Sequence, residues 1–211
     1  GNVEVSENTI KNVALHNLWR DLLLFPTASI LLTDTREIRD TLLGTLIELD
    51  TVSIQRKFPS ILVISVQEKK TVAFWCKDRC LALDKEGVAF KETQVSPDFP
   101  VITSLGEVQE NPGETVVVRG ALSAVLGFSK EMKRRSLLED EVSVQFRIVS
   151  ENQIDALVSE GWSIYFTQTQ DLSWQITKLQ TVLENKLPLE KRKKLEYIDV
   201  RFGDQAYIKY R

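Results

Sequence analysis

The chain has 211 residues, 43% hydrophobic and 27% charged, an ordinary mix for a folded protein of one large domain or two small ones. A net charge of −3 gives it no basic footprint for nucleic acid, and no stretch supplies the roughly 18–20 apolar residues of a membrane-spanning helix. With one histidine and two cysteines, a conventional triad or multi-histidine metal centre would have to be built around His16 alone.

Residues 2–6 alternate polar and apolar side chains, the period of a half-buried strand. Ser6, Asn8 or Thr9 can then cap a helix to about Leu24, with Val13, Leu15, Leu18, Trp19, Leu22 and Leu23 on one stripe. His16 lies among these leucines, where a structural or surface role is expected. The apolar run 22–32 is broken by Pro26, Thr27 and Ser29 and is too short to span a bilayer. The abrupt opening at Gly1-Asn2 is read as a start inside a longer natural chain.

Asp34 followed by Glu37 marks a second helix start, with Ile38, Leu42 and Leu43 as its buried side. After Asp50 the period changes to two: Val52 and Ile54, then Leu62, Ile64 and Val66, are two strands interrupted at Phe58-Pro59-Ser60. Strand, two helices and two strands make a compact α+β unit of about 70 residues.

Strands dominate beyond it. Residues 71–76 and 80–84 flank Lys77-Asp78-Arg79, and Lys85-Glu86-Gly87 leads into Val88-Ala89-Phe90. Val116-Val117-Val118 and 142–149 are expected as further strands around a helix at 122–138. A turn at Glu160-Gly161 separates strands at 154–157 and 162–166. Asp171 caps a helix bearing Trp174, Ile176, Leu179, Val182 and Leu183 that ends by Pro188, and both Trp174 and Leu179 are expected to pack on the terminal strands. Residues 195–202 and 205–210 form a terminal hairpin around Gly203-Asp204.

Cys76 and Cys80 fit neither a redox CxxC nor a zinc site. Facing each other across a hairpin, their Cα atoms would lie about 4.5–5.5 Å apart, within disulfide range; two unpaired thiols at a hairpin mouth is the other reading. The basic run Lys191-Arg192-Lys193-Lys194 is diluted by Glu184, Glu190 and Glu196 and reads as a solvated connector, with contact to anionic lipid as the alternative. Glu139-Asp140-Glu141 reads as an exposed loop. The nine glycines form neither GxGxxG nor GxxxxGK, so no phosphate loop or nucleotide cofactor is indicated.

The stretch from Val52 through Phe58-Pro59 to Glu68-Lys69 resembles the signature of the FtsQ/DivIB cell-division family: a strand ending in basic residues and an aromatic-Pro pair, then a second strand closing on Glu and a basic residue. Residues 71–75 and 83–90 are similar to the family's next stretch. Tyr197-Ile198-Asp199-Val200-Arg201-Phe202-Gly203-Asp204 followed by Ala206-Tyr207-Ile208-Lys209-Tyr210 resembles its terminal hairpin. Glu7-Asn8 departs from the family's Gly-Asn after the first strand.

The resemblance implies an α+β fold: a POTRA domain of order β-α-α-β-β at residues 1–69, then a mixed, mostly antiparallel β domain with flanking helices at 70–211. It implies a non-catalytic divisome scaffold that links early and late division proteins. One upstream membrane helix would place this part on the extracytoplasmic (periplasmic) side of the inner (plasma) membrane at the division septum. The implied partners are FtsB/DivIC- and FtsL-type bitopic proteins, with no nucleic acid, small-molecule substrate, metal or cofactor. A terminal edge strand offers unpaired backbone groups to a partner strand, so Arg201, Phe202, Asp204, Tyr207, Ile208 and Tyr210 are the expected partner-binding residues, and Cys76 and Cys80 the expected disulfide. Two competing readings are a POTRA-bearing module of an outer-membrane assembly or secretion protein, and a carboxylate-dependent hydrolase, for which no spaced constellation exists.

Overall fold

The structure, a computed structural model, describes residues 5–20, 34–105 and 111–211, without the side chains of 16–20 and 189. Residues 2–4 of the strand expected at 2–6 and the side chain of His16 fall outside the described residues, and Val5 and Ser6 are not in a strand. The chain forms two compact units, Gly1–Lys70 and Thr71–Arg211.

The first unit holds α1 (Glu7–Arg20), α2 (Thr35–Thr45), β1 (Leu49–Lys57) and β2 (Ile61–Glu68). Of the three candidate caps, Ser6 is the one used: its Oγ accepts the Thr9 N–H at 3.1 Å. Asp34 caps α2 by accepting the Arg36 N–H at 2.8 Å. β1 and β2 pair antiparallel, with Val52 opposite Val66 and Ile54 opposite Ile64. These side chains pack with Ile38 and Leu42 of α2 and Ala14 of α1, while Ser53 and Ser65 take the other face. The Val5 N–H donates to the Glu68 carboxylate at 2.8 Å, tying the start of this unit to its last strand.

The second unit is built on one nine-stranded sheet: β3 (Ala73–Cys76), β4 (Cys80–Leu83), β5 (Ala89–Glu92), β6 (Val101–Ser104), β7 (Val144–Ser150), β8 (Gln153–Val158), β9 (Ser163–Phe166), β10 (Leu195–Asp199) and β11 (Tyr207–Tyr210). Their spatial order is β11-β10-β9-β8-β7-β6-β3-β4-β5. Five neighbouring pairs are antiparallel, and β3–β6, β6–β7 and β9–β10 are parallel. The fold is α+β with a large mixed, mostly antiparallel sheet.

Helices α3 (Arg119–Arg134) and α4 (Leu172–Asn185) are the crossovers of the parallel pairs β6–β7 and β9–β10; a short α5 (Leu189–Arg192) follows. Strand register places Ile208, Ile198, Ile164, Ala156, Phe146, Ile102, Trp75 and Leu81 in one cross-strand row. That row and the apolar stripes of α3 and α4 belong to one core. Phe128 of α3 stacks on Phe166 at 4.0 Å between centroids. Gln175 of α4, fully buried, exchanges two hydrogen bonds with the Thr167 backbone, both at 2.9 Å. Asp171 caps α4 through the Trp174 N–H at 2.7 Å.

Several expectations are corrected. Val116-Val117-Val118 is not a strand: Val116 and Val117 are buried, and Val118 is the N-cap position of α3. Their backbone runs beside Gly87, which has a φ of +83° and whose carbonyl accepts both the Val116 and Val117 N–H; a Cβ there would sit 1.9 Å from the Val117 oxygen. Strand β6 was not anticipated. The terminal hairpin turns through a loop at 200–206, not through Gly203-Asp204 alone. Leu179 is fully buried, but Trp174 is 46% exposed. Its aromatic ring therefore lies at the surface.

Leu179→Ala removes a fully buried side chain between α4 and the sheet, and is expected to destabilise the protein by about 2–5 kcal/mol. A chemical or thermal melt of the variant checks this.

Candidate functional site

Because β10 pairs with β9 on one side, the hairpin return places β11 outermost. β11 pairs antiparallel with β10, Ile198 opposite Ile208 and Asp199 opposite Tyr207. The Arg211 N–H donates inward to the Lys194 carbonyl at 2.9 Å. By strand alternation the N–H and C=O of Lys209 and Tyr207 also face β10, and those of Ile208 and Tyr210 face outward from the sheet. The edge therefore carries donors and acceptors that a further strand can pair.

The side chains follow the same alternation. Ile208 packs against the core, whereas Tyr207 is 51% exposed and Tyr210 is 44% exposed. Phe202, at 52% exposure, meets the Tyr207 ring edge-on at 6.0 Å. The Tyr207 hydroxyl donates to Gln205 Oε1 at 2.6 Å. Asp204 is exposed in the loop. Lys209 pairs with Glu196 at 2.9 Å and lies over the Tyr197 ring. Phe202 and Tyr207 thus form one exposed aromatic pair, and Tyr210, three residues beyond Tyr207, stands exposed on the opposite, Ile208 side of the strand.

Arg201, expected as a partner-binding residue, is held by side chains of its own chain. Its Nε and Nη2 donate to the two Asp199 carboxylate oxygens at 2.9 and 2.6 Å, and its Nη1 donates to Gln153 Oε1 at 2.7 Å. That fork geometry needs a planar guanidinium. The Asp199 hydrogen bond, foremost among the causes, raises the Arg201 pKa further above its ordinary value. The guanidinium lies 5.1 Å from the Phe202 ring centroid, so Arg201 braces the aromatic pair from behind.

The brace extends across the open face of the sheet. Gln153 Nε2 donates to Asp155 Oδ1 at 2.8 Å, and Asp155 Oδ2 pairs with Arg147 at 2.7 Å. Beside it Tyr165 and Tyr197 stack at 4.7 Å. Burial, then the nearby Asp155 charge, pushes the Tyr165 phenol pKa upward, so the ring keeps its proton. Arg147, Gln153 and Asp155 were not foreseen as parts of this site; their sign in the sequence is polar residues at alternate positions, Gln145 and Arg147 in β7 and Gln153 and Asp155 in β8.

Cys76 and Cys80 face each other at the turn end of the β3–β4 hairpin, Cα atoms 4.2 Å apart, and are joined as a disulfide. This hairpin lies toward the β5 end of the sheet, away from β11. The basic run 191–194 begins in α5 and ends before β10. Among the described residues no group of three or more His, Cys, Asp or Glu could hold a metal. A groove of about 650 Å³ at the start of β6 and β7 is lined chiefly by apolar side chains, including Phe99, Val101 and Met132, with Glu139, Asp140 and Glu141 at its rim.

Two outcomes test this geometry. Arg201→Lys keeps the charge but loses the fork, leaving the buried Asp199 carboxylate with fewer donors; a loss of stability of about 1–3 kcal/mol is expected in a urea melt. Protein made under oxidising conditions should gain the mass of two hydrogens on reduction, read by intact mass spectrometry, as a Cys76–Cys80 disulfide requires.

The family described as Cell division protein FtsQ/DivIB, C-terminal, matches residues 73–201, from the first residue of β3 to the arginine that braces the edge. No curated protein matches the chain. The matched span covers well over half of the 211 residues and most of the nine-stranded sheet, and on it the chain belongs to the FtsQ/DivIB family of cell-division proteins.

Proposed function

We propose that this chain is the extracytoplasmic part of a non-catalytic divisome scaffold. Its first unit is a POTRA domain, and an upstream helix anchors it in the inner (plasma) membrane at the septum. Its second unit holds an FtsB/DivIC-type bitopic partner, and with it an FtsL-type protein, by adding the partner's strand to β11. In this way the protein joins early and late division components.

The observation that supports the reading most is the outer side of β11. Outward backbone groups at Ile208 and Tyr210 lie beside three exposed aromatic rings, Phe202, Tyr207 and Tyr210. Strand addition draws affinity from such a ladder and specificity from adjoining side chains. Large aromatic residues are the usual energetic centres of interfaces. The family's role in cell division makes a protein partner the natural occupant.

Ile208→Pro tests it. The proline removes an N–H that faces the partner and not β10, and edge strands tolerate proline. The variant should remain folded in a thermal melt while calorimetry shows at least about tenfold weaker binding of the partner's extracytoplasmic segment. A folded variant with undiminished affinity would refute docking at β11. If the variant unfolds, the pair Phe202→Ala and Tyr207→Ala, both at exposed positions, replaces it with the same expected loss.

A further inference from the structure

Lys178 is 6% exposed in the middle of α4. Its Nζ donates to the Gly203 carbonyl at 2.8 Å and to the Phe202 carbonyl at 3.3 Å. Trp174, one turn earlier on the same helix, donates its indole N–H to the Gly203 carbonyl at 3.3 Å. One backbone oxygen of the 200–206 loop therefore takes two donors from a single helix. Phe202 O also accepts the Gln205 N–H at 3.1 Å, which closes the turn that leads to β11.

Burying an ammonium carries a desolvation cost that an apolar side chain of similar volume would avoid. Burial does push the Lys178 pKa down, with the Asp204 and Asp199 charges opposing it. Packing alone thus gives no reason for a lysine at this point of the apolar stripe; reach to the loop carbonyls does. β11 is only four residues long, and a ladder of that length is weak by itself. Its position depends on what holds the loop that delivers it.

We propose that Lys178 and Trp174 are positioning residues for partner docking: through the Gly203 carbonyl they hold the 200–206 loop so that β11 is ordered at the sheet edge before a partner strand arrives. The proposal rests on the reading of β11 as the docking edge. Ordering the edge in advance removes an entropic cost from binding, so α4, on the core side of the sheet, sets the affinity of the edge strand through the loop it holds.

The test uses Lys178→Met and Trp174→Phe in the 211-residue chain, at a temperature where melts show both fully folded. Amide hydrogen exchange is measured without any partner, and calorimetry follows with the extracytoplasmic segment of the FtsB/DivIC-type protein. Lys178→Met should speed exchange over residues 203–210 by about tenfold and weaken binding by a similar factor, while β7 and β8 exchange as before. Trp174→Phe should do the same to a smaller degree. The double variant should fall short of the product of the single effects, because both donors act on one oxygen. Should Lys178→Met fail to fold, Trp174→Phe, at a half-exposed position and missing only the N–H, carries both measurements. Unchanged exchange over 203–210, or faster exchange with undiminished affinity, overturns the proposal. Absence of binding by the unaltered chain overturns the docking reading together with it, whereas the partner-free exchange measurement isolates a failure of the latch.

Discussion

The carboxyl-terminal end of the sheet depends on the burial of α4. Ile176 and Leu179 are fully buried, with Val182 and Leu183 nearly so, and these side chains fix the helix against the core. A parallel neighbour for β9 can be reached only by a crossover that packs back onto the sheet. With α4 seated there, β10 lies parallel to β9, and the following hairpin puts β11 outside it. The open edge is therefore a product of helix packing as much as of strand sequence. α3 does the corresponding work between β6 and β7.

The two faces of the sheet divide the labour. One carries the apolar cross-strand row under the helices, and the other carries Arg147, Asp155, Gln153, Asp199 and Arg201 in a connected polar network beside two stacked tyrosines. Asp155 and Asp199 are both buried, yet each has charged donors at hydrogen-bond distance. A buried carboxylate so paired is costly to disturb and weakly stabilising in itself. What it supplies is geometry: the end of β10 is fixed relative to β7 and β8, and the loop to β11 starts from a defined place.

Much of this was legible from local signals. Asp34 and Asp171 announced helices because a capping carboxylate before an apolar stripe has a local meaning. Val52, Ile54, Ile64 and Val66 gave a hairpin because two-residue alternation survives whatever packs above it. Three valines in a row look the same in a strand and in a buried lead-in to a helix; Val116 and Val117 are placed by the close approach of Gly87, about 30 residues away, which no local pattern encodes. β6 is four residues flanked by partners distant in sequence, so it has no hairpin turn to betray it. At the site, the aromatic residues of the terminal hairpin were readable, but Arg201 as a brace depends on Gln153, 48 residues earlier, and no local pattern marks Lys178 as a buried donor.

The opposite end of the sheet is finished differently. Outside β5, the Ala89 N–H donates to the Glu114 carbonyl at 2.9 Å, the Gly113 N–H donates to the Ala89 carbonyl at 2.7 Å, and Val88 bridges to Thr115. The chain thus obstructs that rim at Val88 and Ala89, whereas among the described residues no strand pairs outside β11, an asymmetry with a bearing on stoichiometry. A sheet with two bare rims can add copies of itself without end, as filaments do. With the other rim so obstructed, pairing of β11 with its own copy would close as a two-fold dimer, and that dimer would occupy the same backbone groups as a foreign strand. Under the docking proposed for β11, self-pairing and partner capture exclude each other, and the balance between them follows the relative concentrations of the two proteins.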